Sequence, residues 1–290
     1  MTLLELIGNT EKQFRAARLH YGHGTHNARD EAAFLVLRAL RLPFEDPPLE
    51  KELQPKAVKQ IGSLIRKRIE KRIPVPYLLN EAWLADHAFY VDRRVIIPRS
   101  HIAELLGRQL QPWMKRPARR VLDLCTGSGC LAILAAHAFP QAKVDATDLS
   151  KSALAVARKN VAKYRLGRRI RLIRSDLFAA LEGERYDLIV TNPPYVGAAS
   201  MRKLPPEYRH EPGMALAGGL DGLHLVKRII QGAADRLRAG GLLVCEIGDG
   251  RRALERAYPN TGFIWPQTAA GAGQVFALSA VALEKLGDDL

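Results

Sequence analysis

The chain has 290 residues, of which 47% are hydrophobic and 26% charged. This composition is typical of a folded globular protein and excludes a disordered or membrane-embedded chain. At this length we expect one large domain and one smaller domain, each with its own core. The formal net charge is +14, and the excess of Lys and Arg extends over both halves. A nucleic-acid partner and a merely Arg-rich solvated surface explain that charge equally well.

The cysteine and histidine patterns do not favour a disulfide or metal framework. No C-x-x-C pair occurs, and the three cysteines are Cys125, Cys130 and Cys245. Three histidines within residues 20–26 are separated by glycines that spoil helical ligand spacing, so we expect no metal there. Residues 1–8 show no basic leader, and no apolar run reaches bilayer length. We therefore expect a cytoplasmic protein with no membrane contact.

The first eighty residues predict a small helical domain. Apolar residues recur at helical spacing from Glu31 to Leu40, before a proline-rich stretch that ends the helix. A second amphipathic helix is predicted from Lys56 to Arg72. Residues 82–97 mix aromatic and β-branched side chains and predict a β-hairpin. We therefore assign residues 1–80 to a helical domain and 81–98 to a hairpin linker.

The rest of the chain, residues 99–290, alternates between the periods of strands and helices. Strands are predicted near 119–124, 143–147, 170–174, 186–191, 241–247, 262–265 and 274–280. Helices are predicted near 102–110, 129–138, 150–164, 221–238 and 249–257. This alternation predicts an α/β, Rossmann-like fold with seven strands and helices on both faces. The linker before the last strand is too short for a crossover, so we expect that strand to be antiparallel.

A ligand-binding turn is predicted where the first strand of this domain ends. The strand closes with Asp123-Leu124 and runs into Cys125-Thr126-Gly127-Ser128-Gly129-Cys130, after which a helix begins. Glycines let the backbone pass close to a bound molecule, and an acid at the strand end can accept hydrogen bonds from it. We therefore predict that Asp123 and residues 126–130 contact a cofactor.

Two further acids follow the next two strands. Asp148 is placed to accept both hydroxyls of a ribose, and Asp176 to bind an adenine amino group while Leu177 packs on the ring. The same glycines followed by Asp148 also fit a nicotinamide dinucleotide fingerprint. Asp123 would repel a pyrophosphate, whereas three acids suit the sulfonium and amino groups of S-adenosylmethionine. The loop favours S-adenosylmethionine and leaves the nicotinamide alternative open.

The most specific signal in the chain is Asn192-Pro193-Pro194-Tyr195, at the end of a predicted strand. Prolines without N–H groups hold the nearby carbonyls in an extended turn, where they can serve a ligand. The Asn192 side-chain oxygen and the Pro193 carbonyl could each accept one N–H of a planar NH₂ group and turn its lone pair toward a methyl donor. Tyr195 could stack on that group. A rigid loop without catalytic function is the alternative.

These two motifs together resemble class I methyltransferases that modify glutamine side chains of translation proteins. Adenine methyltransferases share the second motif. Further segments resemble the members that act on large-subunit ribosomal protein number three: residues 21–25, 89–92, 98–100, 208–212 and 219–223. The resemblance implies an N(5)-methylglutamine product, a substrate-reading helical domain, and a glutamine pocket shaped by Glu211 and the turn 218–222.

Three function classes therefore remain open. The first is glutamine methylation on that ribosomal protein, free or in an assembly intermediate, where a basic surface would also contact ribosomal RNA. The second is methylation of a nucleic-acid base or of a peptide chain release factor, and a base would have to be flipped into the pocket. The third is a nicotinamide enzyme or a binding protein with a dead site. Intact Asp123, Asp148 and Asn192 argue against the dead site.

Overall fold

The computed structural model describes residues 1–269 and 271–288, so the predicted domain end at 290 lies outside the described residues. The N-terminal region contains α1 (Leu3–Ala16), α2 (Ala28–Ala39), α3 (Pro55–Lys71) and α4 (Val75–Leu79). Two of these helices match the predicted ones. Helix α1 is not predicted, although Thr2 and Glu5 form a capping box at its start. The apolar faces of α1, α2 and α3 meet in one core that includes Phe14, Leu35, Ile61 and Ile65.

The predicted hairpin is present but shorter than expected. Its strands are β1 (Ala82–Leu84) and β2 (His87–Phe89), which pair antiparallel. Ala85 and Asp86 both have positive φ, 46° and 60°, as in the tight two-residue turns whose twist matches that of paired strands. Directly after the hairpin, the side chain of Asn160 accepts a hydrogen bond from the N–H of Tyr90 and donates one to its carbonyl. This contact attaches the linker to the α/β part of the chain.

The large sheet contains the strands β3 (Arg120–Leu124), β4 (Lys143–Asp148), β5 (Ile170–Arg174), β6 (Tyr186–Thr191), β7 (Leu237–Glu246) and β10 (Val275–Ser279). Their spatial order is β10-β7-β6-β3-β4-β5. All neighbours are parallel except β10, which runs antiparallel to β7 and confirms the prediction for the last strand. The strand predicted at 262–265 is reduced to one antiparallel bridge between Ile264 and Ala277. Pro266 follows it and offers no N–H for a longer ladder.

Helices cover both faces of this sheet. They are α5 (Ile102–Gly107), α6 (Cys130–Ala138), α7 (Lys151–Lys163), α8 (Ala198–Met201), α9 (His224–Ala234), α10 (Arg251–Ala257) and α11 (Ala280–Asp288). A small ribbon, β8 (Gln267–Thr268) with β9 (Gly271–Ala272), lies outside the sheet.

Alternate strand residues point into two separate cores. Val121 and Val190 pack with α5 and α6 on one face, whereas Leu122 and Ile189 pack with α9 and α11 on the other. The domain is therefore a three-layer α/β structure, as the alternating pattern predicts. Within the described part of the chain, no helix is both long and apolar enough to cross a membrane.

Candidate active site

The loop after β3 lies where the strand order reverses, since β4 flanks β3 on one side and β6 on the other. Open α/β sheets bind ligands at this point, beyond the carboxyl ends of their strands. Gly127 and Gly129 have φ values of 54° and 81°, which favour glycine. A Cβ on Gly129 would lie 3.2 Å from the Cβ of Ala157, so a side chain there would push α7 away. These glycines let the chain turn sharply from β3 into α6.

Asp123 is fully buried beneath this loop. Its Oδ2 accepts hydrogen bonds from the Thr126 hydroxyl at 2.5 Å and from the Ala132 amide at 2.9 Å. Among the described residues, no donor reaches its Oδ1. Burial raises the pKa of Asp123 to about 7, although the two hydrogen bonds oppose the shift. Together with Thr126, Ser128 and Cys130, Asp123 lines a small cavity of about 30 Å³.

A larger cavity of about 320 Å³ adjoins the small one. Its lining includes Gly127, Asp148, Asp176 and Leu177. The two oxygens of Asp148 accept the amide hydrogens of Gly127 at 2.9 Å and of Ser150 at 2.8 Å. Burial raises the pKa of Asp148. The carboxylate that closes β4 thus fixes the position of the glycine loop and still faces the cavity.

Asp176 lies at the outer end of this cavity and is half exposed. Its Oδ2 accepts a hydrogen bond from Arg228 at 2.9 Å. Leu177 beside it is buried. Of the residues predicted to bind a cofactor, Gly129 alone lies outside the linings of the two cavities, and its contact with Ala157 is structural. The structure therefore brings the predicted cofactor residues together.

Asn192 follows the last residue of β6. The Thr191 hydroxyl donates to the Leu124 carbonyl at 2.9 Å and ties the end of β6 to β3. Asn192 Nδ2 donates to the backbone carbonyl of Arg99 at 3.0 Å, which fixes the orientation of the amide. Its Oδ1 accepts no hydrogen bond from any described residue. The amide therefore presents a fixed, free acceptor.

A third cavity, of about 340 Å³, lies on the other side of Asn192. Asn192, Pro193 and Tyr195 line it, whereas Pro194 lines the 320 Å³ cavity. Its other walls include Arg99, Leu204, Tyr208 and Leu216. Asn192 and Ile96 are shared by all three cavities. Asn192 therefore stands where the predicted cofactor side and the third cavity meet.

Tyr195 is held by a buried carboxylate. Its hydroxyl donates to Glu246 Oε1 at 3.3 Å, while Glu246 Oε2 accepts from the Ser100 hydroxyl at 2.6 Å and the His101 amide at 3.0 Å. Burial raises the pKa of Glu246 and also that of Tyr195. A Cβ on Gly248 would lie 2.8 Å from the Tyr195 ring. Glu246 and Gly248 therefore fix the ring that borders the third cavity.

The turn 218–222 packs against the backbone of Tyr195. A Cβ on Gly218 would lie 2.7 Å from the Tyr195 Cα, and one on Gly222 would overlap the Tyr195 carbonyl oxygen. Gly222 also has a φ of 81°. Leu220 at the tip of the turn is 91% exposed. Gly218 and Gly222 are required because side chains at these two positions would displace Tyr195.

Glu211 lies behind the wall of the third cavity and not in its lining. Its two oxygens accept hydrogen bonds from Arg99 at 2.6 and 2.7 Å, and its Oε1 also accepts from the Ile97 amide at 2.9 Å. Burial by itself would raise the pKa of Glu211, but His23 and the Arg99 guanidinium outweigh it and hold the pKa at about 2. Arg99 in turn lies 5.3 Å from the Tyr208 ring centroid. Glu211 therefore shapes the cavity through Arg99.

The sequence analysis did not predict that Arg99 pairs with Glu211. These residues are 112 positions apart, and no local pattern connects them. Both residues lie in segments that carry the family resemblance, 98–100 and 208–212, and this was the one indication in the sequence that they matter. The tertiary structure adds that the two segments form one wall.

The N-terminal helices contact this wall through a buried ion cluster. Arg68 of α3, completely buried, donates to Glu31 at 2.7 Å and to Glu207 at 3.2 Å. Glu207 also accepts the His20 amide at 3.0 Å. The imidazole of the buried His23 lies 4.4 Å from the ring of Tyr208, between ring centroids. The loop at 20–24 is thus packed directly behind the third cavity.

Comparison with known proteins identifies the family and the fold. Residues 103–204 match the family described as Methyltransferase small domain. The hMettl16 catalytic domain, solved in complex with a 3′UTR hairpin, superposes with a TM-score of 0.51 at 16% identity, over 81% of this chain and 84% of that one. At this identity the likeness shows the fold, a class I methyltransferase fold.

Much closer relatives cover almost the full length. Ribosomal protein uL3 glutamine methyltransferase of Bordetella pertussis is 51% identical over 96% of this chain and 95% of the relative. The Burkholderia pseudomallei protein of the same name is 49% identical over 96% and 94%. That of Bradyrhizobium diazoefficiens is 45% identical over 98% and 92%. The chain belongs to the family of ribosomal protein uL3 glutamine methyltransferases.

Proposed function

We propose that this protein transfers a methyl group from S-adenosylmethionine to the side-chain amide nitrogen of a glutamine in ribosomal protein uL3, the large-subunit protein number three. The observation that carries the proposal is Asn192, whose free Oδ1 stands between the two inner cavities and the third one. The relatives supply the identity of the protein substrate, because their names specify uL3. This substrate implies a cytoplasmic location.

The two inner cavities fit S-adenosylmethionine. Asp123 Oδ1 is a buried acceptor without a protein donor, and the amino group of the methionine part would supply one. Asp148 has lone pairs left for the ribose hydroxyls, and Asp176 with Leu177 would hold the adenine. Asp123 and Asp148 have no cationic partner among the described residues and therefore favour a cationic ligand over a pyrophosphate, which supports S-adenosylmethionine against a nicotinamide dinucleotide. The bound donor supplies an electrophilic methyl group.

The third cavity would hold the glutamine side chain. An amide nitrogen is a weak nucleophile because its lone pair is delocalised. Asn192 Oδ1 and the Pro193 carbonyl would each accept one N–H, which turns the lone pair toward the methyl group and stabilises developing positive charge. The new N–C bond would form as the S–C bond breaks, and the proton would pass to solvent, directly or by way of a carbonyl. S-adenosylhomocysteine and N(5)-methylglutamine are the products.

The surrounding residues would act as supports for that geometry. Tyr195, fixed by Glu246, would lie against the planar amide, while Pro194 faces the donor side. Glu211 keeps the Arg99 guanidinium in the wall, so we assign it a positioning role and no direct contact with glutamine. Residues 1–80 would read the folded substrate, with 81–98 as the linker and 99–290 as the catalytic domain.

Transfer of labelled methyl groups tests the proposal. The protein and methyl-labelled S-adenosylmethionine are added to an extract of a strain that lacks the protein, and the labelled macromolecule is identified by mass spectrometry. We expect label on one glutamine of uL3. Label confined to nucleic acid would establish base methylation instead, and label confined to release factors would change the protein substrate.

A matched pair of variants tests the role of Asn192. Asn192→Ala should abolish transfer while donor affinity, measured by calorimetry, changes less than about threefold, since the donor keeps its carboxylate partners. The exposed Asn260→Ala makes the same chemical change away from the site and should leave both unchanged. Equal loss of transfer and donor binding in Asn192→Ala would contradict the assigned role.

A further inference from the structure

A basic groove lies at the edge of the sheet opposite the active site. It is a cavity of about 910 Å³, formed by the segment that leads into β3, by the turn within β7 and by the end of β10. Asp187 near the start of β6 lines it, whereas Asn192 follows the end of the same strand. Five residues of strand separate the two by about 17 Å. A ligand in this groove would leave the entrance of the active site free.

The charges in this groove are almost all positive. Its cationic lining consists of Lys115, Arg116, Arg119 and Arg238. Asp187 is the acid among the lining residues, and its carboxylate already binds Arg238 at 3.2 Å and the amides of Arg119 and Arg120. Among the described residues, no acid pairs with the side chains of Lys115, Arg116 or Arg119, which are exposed. The groove therefore holds three free positive charges.

In the denser basic run at 165–174, Arg169 and Arg171 are committed to the fold, whereas Arg165 and Arg168 are exposed and have no acidic partner among the described residues. Arg169 donates to the carbonyls that end α6, including that of Phe139 at 2.7 Å. Arg171 pairs with Asp145 at 2.8 Å and with Glu184 at 2.6 Å. The side chains of Arg169 and Arg171 are satisfied internally, unlike Lys115, Arg116 and Arg119 of the groove. The tertiary structure thus shows which of the positive charges line a concave surface, and the sequence alone does not.

We propose that this groove binds the phosphate backbone of RNA. Closely spaced Lys and Arg side chains on a concave surface neutralise successive phosphates and release their counterions. Partly buried Trp113 packs against the core and also lines the groove, where it would offer an aromatic surface to an unpaired base. The proposal goes beyond the methyl-transfer site and does not depend on which group that site methylates.

RNA binding by two matched variants tests this proposal. The groove variant is Lys115→Gln/Arg116→Gln/Arg119→Gln. The control variant Lys56→Gln/Lys59→Gln/Arg66→Gln removes the same charge from the exposed side of α3. Binding of a fluorescently labelled RNA hairpin with a single-stranded tail is followed by anisotropy from 50 to 300 mM salt. Thermal unfolding and methylation of free uL3 are measured on the same preparations.

The wild-type protein and the control variant should bind the hairpin alike, within about twofold. The groove variant should bind at least tenfold more weakly, and the slope of log K against log salt should become shallower by about 2 to 3, because three phosphate contacts are lost. Its methylation of free uL3 should be unchanged. Absence of RNA binding by the wild type, equal loss in the control variant, or equally strong competition by polyglutamate would overturn the proposal. Loss of methylation in the groove variant would overturn the separation of the two sites.

Discussion

Asp123→Asn tests how far a buried acid of the proposed donor site destabilises the fold. The pKa of Asp123 is raised from 3.8 to about 7 by burial. Between those values the unfolded chain has released this proton while the folded protein still holds it. The stability contributed by Asp123 is therefore complete below about pH 4, declines as the pH rises, and is lowest above about pH 7. Asparagine does not titrate and avoids this loss.

The magnitude follows from the same pKa values. Two pH units separate pH 5 from the folded pKa of about 7, so the stability difference between Asp123→Asn and the wild type should grow by about 3 kcal/mol from pH 5 to pH 8. Urea unfolding at both pH values measures it, and exposed Asp235→Asn is the matched control. The informative quantity is the change of this difference between pH 5 and pH 8, because hydrogen bonds that asparagine fails to form would lower the stability equally at both pH values. A difference that is the same at pH 5 and pH 8 would refute the reasoning.

Three further predictions concern the same site. Donor affinity of the wild type should fall about tenfold per pH unit below pH 7, because in the proposed site the ammonium group of the donor would bind the ionised Asp123. Asp123→Asn should bind the donor weakly at every pH, and calorimetry measures both affinities. Gly222→Ala should lower stability by about 2 kcal/mol or more, since its Cβ overlaps the Tyr195 carbonyl. Gly183→Ala has a similar φ of 72° with open space around it, and should cost about 1 kcal/mol. Equal losses would exclude the steric explanation. Glu211→Gln should lower the free energy of unfolding by about 2 to 3 kcal/mol, because the partly buried Arg99 loses a charged acceptor. The same variant should reduce turnover more than donor affinity. Unchanged turnover would remove its positioning role.

Local sequence patterns predicted the elements on which the site stands. The apolar run up to Leu124 predicted a buried strand, and the glycines at 127 and 129 predicted a sharp turn. These features depend on neighbours within a few residues, so the chain specifies them without long-range contacts. The prolines at 193 and 194 likewise predicted that β6 ends before Asn192. The antiparallel direction of the last strand followed from a linker too short for a crossover.

The weakest local prediction was at 262–265, where one bridge at Ile264 replaces a strand. A segment at the edge of a sheet has one neighbouring strand, so side-chain packing decides its conformation. Here the rings of Phe263 and Trp265 contact the ring of Phe276. Local periodicity cannot decide elements that tertiary contacts stabilise. Helix α1 is a different case, because its local signals are present: Leu3, Leu6 and Phe14 recur at helical spacing behind the Thr2 cap, and the prediction overlooked them.

By itself, the sequence determined the fold class and predicted the proposed donor-binding loop and the motif that would hold the amide. Only the tertiary structure decided which residues support that motif. Glu211 reaches Arg99 across 112 residues, and Arg68 reaches Glu207 across 139. Charges so far apart in the chain are paired by the packing of different elements. These partners outweigh burial and lower the pKa values of Glu211 and Glu207, so no local pattern contains either fact.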